Sequence, residues 1–255
     1  MKVVYEDNHI IIVAKESGEI VQGDKTGDTP LSDLVKQYIK QKYQKPGEVF
    51  LGVCHRLDRP VAGLVVFART SKALARLNKM FAEGNVHKTY WAITPTPSPV
   101  TRGETAQAPP SSEKPAGRRP PSSGGGWGEA THWLVRNEKQ NKSYAYDREV
   151  PHSKKAQLRY RVISQGDRYQ LLEVELLTGR HHQIRCQLSK VGMPIRGDLK
   201  YGAARSNPDG SISLHARRVE FIHPVSKQPI VAEAPVPADN LWQALVSKVT
   251  CCSTP

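Results

Sequence analysis

An α+β fold, with a mixed and mostly antiparallel central sheet flanked by helices, is what this 255-residue chain predicts. Three observations carry that expectation. Apolar runs of strand length recur from one end to the other, few segments carry a helical apolar face, and strands and helices do not alternate as a doubly wound parallel sheet requires.

In chain order, residues 3–5 and 10–14 lie on either side of Asp7-Asn8 and predict a strand pair across a tight turn. Thr29-Pro30 marks a helix start, and Leu31, Leu34, Val35, Tyr38 and Ile39 then fall on one face, with Lys36, Lys40, Lys42 and Lys45 on the other. Residues 51–54 and 64–68 read as short apolar strands around the run His55-Arg56-Leu57-Asp58-Arg59-Pro60. Thr70-Ser71 caps a second helix with Leu74, Leu77 and Phe81 inward and Gly84 at its close. Tyr90 sits in the strand that follows. Pro, Gly and Ser make up half of residues 100–127, too little apolar surface to offset chain ordering. Order resumes at about His132. Residues 169–177 alternate as a half-buried strand. Residues 180–191 read as a helix with Ile184, Leu188 and Val191 inward and Gly192 closing it. Strands at 213–220 and 230–233 and a terminal helix holding Leu241, Trp242 and Leu245 complete the order. The expected division is therefore 1–99 and 129–248 as two parts of one folded domain, 100–128 as a disordered Pro/Gly/Ser-rich insertion, and 249–255 as a flexible tail.

The formal net charge of +13 points to a polyanionic partner, nucleic acid or an anionic membrane surface. No apolar run approaches the roughly 18 residues needed to span a bilayer. The first residues lack the apolar core of a signal peptide. Cys54, Cys186, Cys251 and Cys252 form no disulfide framework, which implies free thiols in a reducing cytoplasm. No Cys/His set has zinc spacing, and the neighbours His181 and His182 cannot both point into one site from a helix. No metal and no cofactor are expected.

Asp58 is the leading candidate for chemistry. It lies between Arg56 and Arg59 just before an apolar strand, where nearby positive charge favours the ionised form. A carboxylate fixed there can act as nucleophile or base, although an aspartate beside arginines is more often a structural ion pair. Arg56 and Asp58 fall on one side of an extended segment. Arg185 follows the core position Ile184 near the start of a helix, where the dipole disfavours a cation. It needs a partner, and Asp58 would supply a bidentate one. Tyr90 offers a phenol, but a strand tyrosine is commonly just packing. His181, His182 and Gln183 can bond a phosphate or a loop, and Tyr201 belongs to a turn that shapes a pocket wall.

Together the runs 55–63, 88–92, 178–185 and Leu214-His215-Ala216 resemble, in this order, the RluA-type pseudouridine synthases. The resemblance covers residue 3 to about 236, interrupted by the insertion. It implies a pseudouridine synthase-like catalytic domain that isomerises a specific uridine of structured ribosomal or transfer RNA; a monomer is expected, since nothing in the sequence demands a dimer. Asp58, Tyr90 and Arg185 would then be catalytic, the arginine paired with the aspartate. Arg56 would help displace the target base, and His55, Arg59, Arg180, His181, His182, Gln183 and Tyr201 would bind RNA. The family commonly has Thr and Ser where this chain has Val61 and Ala62, and the small N-terminal RNA-binding domain of many relatives is not seen ahead of residue 3. A non-catalytic RNA-binding module on the same scaffold is the competing reading, and intact Asp58, Tyr90 and Arg185 argue against it. Adhesion to anionic surfaces through the insertion and tail is a weaker third.

Overall fold

The computed structural model describes residues 1–24, 26–97 and 126–251. Most of the expected insertion and the last four residues of the expected tail lie outside the described residues. The elements run β1 (Lys2–Glu6), β2 (Ile10–Lys15), α1 (Leu31–Lys42), β3 (Gly52–Val53), β4 (Ala62–Ala68), α2 (Ser71–Glu83) and β5 (Val86–Pro95). Then come β6 (Gly128–Asn137), β7 (Lys142–Tyr146), β8 (Lys154–Gln165), β9 (Tyr169–Leu176), α3 (Gln183–Lys190), β10 (Leu214–Ile222), β11 (Pro229–Glu233) and α4 (Asn240–Cys251).

The strands among the described residues join one sheet in the order β1-β2-β4-β10-β5-β9-β8-β6-β7, with β11 on β10 and β3 on β4. Only the β4–β10 contact is parallel. The α+β expectation holds. Strand β6 begins at Gly128, ahead of the expected resumption, because its alternation buries Ala130, His132 and Leu134 against α3. Helix α4 carries order past residue 248 to Cys251. Strands β7 and β8 had no counterpart in the sequence reading. No helix among the described residues is long and apolar enough to cross a membrane.

The sheet has a core on each face. Alternate β2 and β4 residues separate the two: Ile11, Val13, Val65 and Phe67 pack with α1, while Ile10, Ile12, Leu64 and Val66 pack with α2 and β11. Thr70 Oγ1 accepts the Ala73 N–H (3.2 Å) at the start of α2, and Gly84 ends it at φ +77°.

The junction of β4 and β10 fixes the loop that carries Asp58. Gly63 faces Ala216 there at φ +123°, and a Cβ on it would come within 2.4 Å of the Ala216 carbonyl oxygen. Backbone cannot yield as a flexible side chain does, so Gly63→Ala should destabilise the fold by roughly 1–3 kcal/mol or more. Urea unfolding checks this, and an unchanged midpoint would contradict it. Further along, β4 leaves β10 before it meets β3, and the Val66 N–H in that gap bonds to the Nε2 of His55 (3.0 Å). The imidazole thus takes the place of a missing strand.

Candidate active site

The chain around Asp58 is held mainly by its own carbonyls. Lys15, only 1% exposed, donates to the carbonyls of Val61 (2.6 Å), Glu16 (3.0 Å) and Arg59 (3.1 Å). Burial pushes its ammonium down to about 8, and the three acceptors satisfy its three donors. The Gly18 N–H bonds to the Arg59 carbonyl (2.9 Å) and the Ile212 N–H to that of Pro60 (3.1 Å). Within this frame the Val61 N–H closes a turn on the Asp58 carbonyl (3.0 Å). Asp58 is thereby presented on a braced loop.

Arg185 comes from the first turn of α3 and is 5% exposed. Its Nη1 donates to Asp58 Oδ2 (2.9 Å), which joins residues far apart in the sequence. Its fork, however, goes elsewhere: Nε and Nη2 donate to the two oxygens of Asp198 at 2.7 and 2.9 Å. The expected bidentate partner was Asp58, and the structure corrects this to Asp198. The reason is depth: Asp198 is 1% exposed and requires a full cationic partner, whereas Asp58 turns its carboxylate toward the cavity. Sequence reasoning missed Asp198, because the run Arg196-Gly197-Asp198 does not reveal its burial.

Helix α3 starts at Gln183 and not at Arg180, because His182 takes the left-handed conformation at φ +52°. That turn takes His181 and His182 off the helical path, and their rings stack at 3.8 Å between centroids. The expectation that the two cannot share a site assumed a helix through them, and the structure starts that helix after both. His182 is buried, with Nδ1 on the Tyr201 hydroxyl (3.0 Å) and Nε2 near Arg185 Nη1 (3.1 Å) and Asp58 Oδ2 (3.4 Å). Its Nε2 accepts from Arg185 and so supports the arginine from behind. Tyr201 is 5% exposed; its hydroxyl accepts the Ser143 N–H (2.8 Å) and its ring lies under Arg185.

Several expected RNA contacts turn inward. Gln183 is 3% exposed; its Oε1 accepts from Thr178 Oγ1 and the Arg180 N–H, and its Nε2 donates to the Gln157 carbonyl. His55 serves β4 as described, and Arg59 pairs with Asp28 (2.5 Å) and the Gly18 carbonyl, away from the cavity. Gln183 and His55 spend polar atoms on bonds inside the protein and so build the site's walls, whereas Arg59 is held in a surface ion pair outside it. Others face the opening. Arg56 is exposed and makes no hydrogen bond or ion pair among the described residues, Arg180 donates only Nε to the Lys155 carbonyl, and His181 is half-buried with Asn141 and Ser143.

Asp58, Tyr90, Arg185, Arg56, Arg180 and Leu214 share a cavity of about 90 Å³. It opens into a groove of about 700 Å³ to which Lys88, Arg136 and His181 also contribute. A separate cavity of about 600 Å³ holds none of Asp58, Tyr90 and Arg185. Tyr90 is 8% exposed, and its hydroxyl makes no hydrogen bond among the described residues. Burial, reinforced by the Asp58 charge, raises its pKa well above the ordinary phenol value, so it stays protonated.

Burial likewise pushes His55 and His182 down to about 3, with Lys88 adding to the effect at His55 and Arg185 at His182, where Asp58 opposes it. An unfolded chain protonates both as pH falls through about 6.5. The folded chain binds fewer protons over that window, so stability must fall as pH is lowered from about 6.5 toward 3. Urea midpoints at about pH 7 and pH 5 should show the loss, and a midpoint equal or higher at pH 5 would contradict it.

This arrangement suits a reaction on a ring placed between a carboxylate and an aromatic wall, reached by a polyanion along a basic groove. The solved human RNA pseudouridylate synthase domain containing 4 superposes with a TM-score of 0.68 at 20% identity, covering 98% of this chain and 93% of that one, so the fold is that of pseudouridine synthases. The profile of the RNA pseudouridylate synthase family matches residues 9–190. The uncharacterised RNA pseudouridine synthase YhcT of Bacillus subtilis is 31% identical over 241 residues, 94% of this chain and 70% of that protein. Ribosomal large subunit pseudouridine synthase D of Xanthomonas campestris is 30% identical over 252 residues, 94% of this chain and 67% of that protein. The chain belongs to the RNA pseudouridylate synthase family, isomerases that act on RNA.

Proposed function

We propose that this protein converts a specific uridine of structured ribosomal or transfer RNA to pseudouridine, with Asp58 as the reacting carboxylate. The observation that carries this reading is the Arg185–Asp58 contact of 2.9 Å in a cavity that Tyr90 also lines. The name of the Xanthomonas relative favours a ribosomal target.

The target base leaves its stack first, at a cost of a few kcal/mol. Arg56, exposed and without a hydrogen bond or ion pair among the described residues, fills the space it vacates. Asp58 then drives cleavage of the N1–C1′ bond, by attack on ribose or base or by taking a proton from the sugar. The base turns and rejoins through C5, and the C5 proton is lost to solvent. Arg185 keeps the carboxylate aimed, with Asp198 and His182 holding Arg185 in turn. Tyr90, protonated at neutral pH, stacks on the uracil and passes a proton without acting as an unaided base. Cations along the groove hold phosphates, so binding weakens steeply with salt. A monomer in the cytoplasm suffices for this work, which accords with the free thiols of Cys54 and Cys186.

Mapping pseudouridines in host RNA tests the assignment. Deleting the protein should remove one or a few sites, which the wild-type chain restores. An unchanged map would refute the reading.

A further inference from the structure

We infer that Lys88 is a phosphate-binding residue of the groove, seating an RNA backbone phosphate beside the displaced uridine. Lys88 lies two residues before Tyr90 on β5, so both side chains leave the same face of the sheet. It lines the same groove as Asp58, Arg56 and Arg180. Its Nζ stands 5.5 Å from the centre of the Phe81 ring, and it lies 3.7 Å from where a Cβ on Gly179 would sit. The side chain is thus threaded between an aromatic ring and the turn at Gly179.

What sets Lys88 apart is its lack of an anion. Among the described residues it has no carboxylate or carbonyl partner. Glu83, which also lines the groove, is engaged by Lys79 (3.7 Å) and Asn85 (3.1 Å). Lys15, the other deeply placed lysine of this region, has three carbonyls. A half-buried ammonium without a counter-charge is costly, and burial presses its pKa below the ordinary lysine value. Such a cation is stabilised when an anion arrives. In a groove that receives RNA, the anion supplied at every nucleotide is phosphate, which a compact point charge suits. Asp58 already has Arg185 as its cationic partner, so it does not need Lys88.

The inference rests on the proposed function, and the test separates the two. Binding of a fluorescein-labelled RNA hairpin with uridines in its loop is followed by anisotropy across about 50 to 200 mM potassium chloride. Wild type is compared with Lys88→Met, Lys88→Gln, Lys88→Arg and a control, Lys40→Met on the exposed side of α1. The slope of log Kobs against log salt should become shallower by about 0.7–0.9 in Lys88→Met and Lys88→Gln. Lys88→Arg and Lys40→Met should keep the wild-type slope. An unchanged slope in Lys88→Met and Lys88→Gln, or an equal drop in Lys40→Met, overturns the inference. A fall in kcat with unchanged slope also overturns it, since that pattern would make Lys88 a partner of Asp58. Pseudouridine formation by the wild type on RNA from the deletion host is scored in parallel. Its absence defeats the proposed function, whereas an active wild type with unchanged slope in the variants defeats only the role of Lys88.

Discussion

Asp58→Asn should abolish pseudouridine formation while leaving RNA affinity close to wild type. The amide has nearly the shape of the carboxylate and can stay within reach of Arg185 and His182. It carries no negative charge, however, and neither attacks carbon nor takes a proton effectively. A loss of about a thousandfold or more, above ~4 kcal/mol of barrier, is the expected scale. Arg185 keeps its two bonds to Asp198, so the fold should survive. On the proposed reading the groove cations carry affinity, and the substitution does not touch them. Nucleoside chromatography of digested RNA and filter binding measure the two halves. A variant that turns over at near wild-type rate would remove Asp58 from the chemistry.

Arg185→Ala should cost both activity and stability. One side chain serves two carboxylates here, Asp58 through Nη1 and Asp198 through Nε and Nη2. Removing it leaves Asp198, 1% exposed, as a buried charge with no partner. Breaking a buried pair in this way costs roughly 3–5 kcal/mol. Asp58 loses its aim at the same time, so turnover falls even where protein remains folded. Arg185→Lys should not restore the wild type, because a single ammonium cannot reproduce a fork directed at two acids. Urea midpoints and turnover of the folded fraction decide the matter. A stable, fully active Arg185→Ala protein would contradict this account of the site.

Much of this architecture was legible in the residues. Strands β2 and β4 announce themselves as unbroken apolar runs because both of their faces are buried, and α2 carries its start and stop signals in Thr70 and Gly84. Strand β8 was missed although Ala156, Leu158 and Tyr160 alternate with polar residues, because its arginines and lysines dilute the apolar signal. Strand β7 ends the sheet with Tyr144 and Tyr146 exposed and only Ser143 and Ala145 turned inward, so its five residues carry no apolar alternation. At the site, the Asp58–Arg185 pairing could be inferred from charge and position alone. The role of Asp198 could not, since only burial shows which carboxylate needs the fork. The inward turn of His182 follows from a left-handed backbone that a histidine does not advertise.

The most direct test of the central claim, that the carboxylate beside Arg185 and Tyr90 isomerises uridine, is tritium release from RNA labelled at C5 of uridine. Wild-type protein and Asp58→Asn are compared at saturating and matched occupancy. Release by the wild type with none from the bound variant is the predicted result. Equal release by both proteins, or RNA binding by the wild type with no release at all, would contradict it.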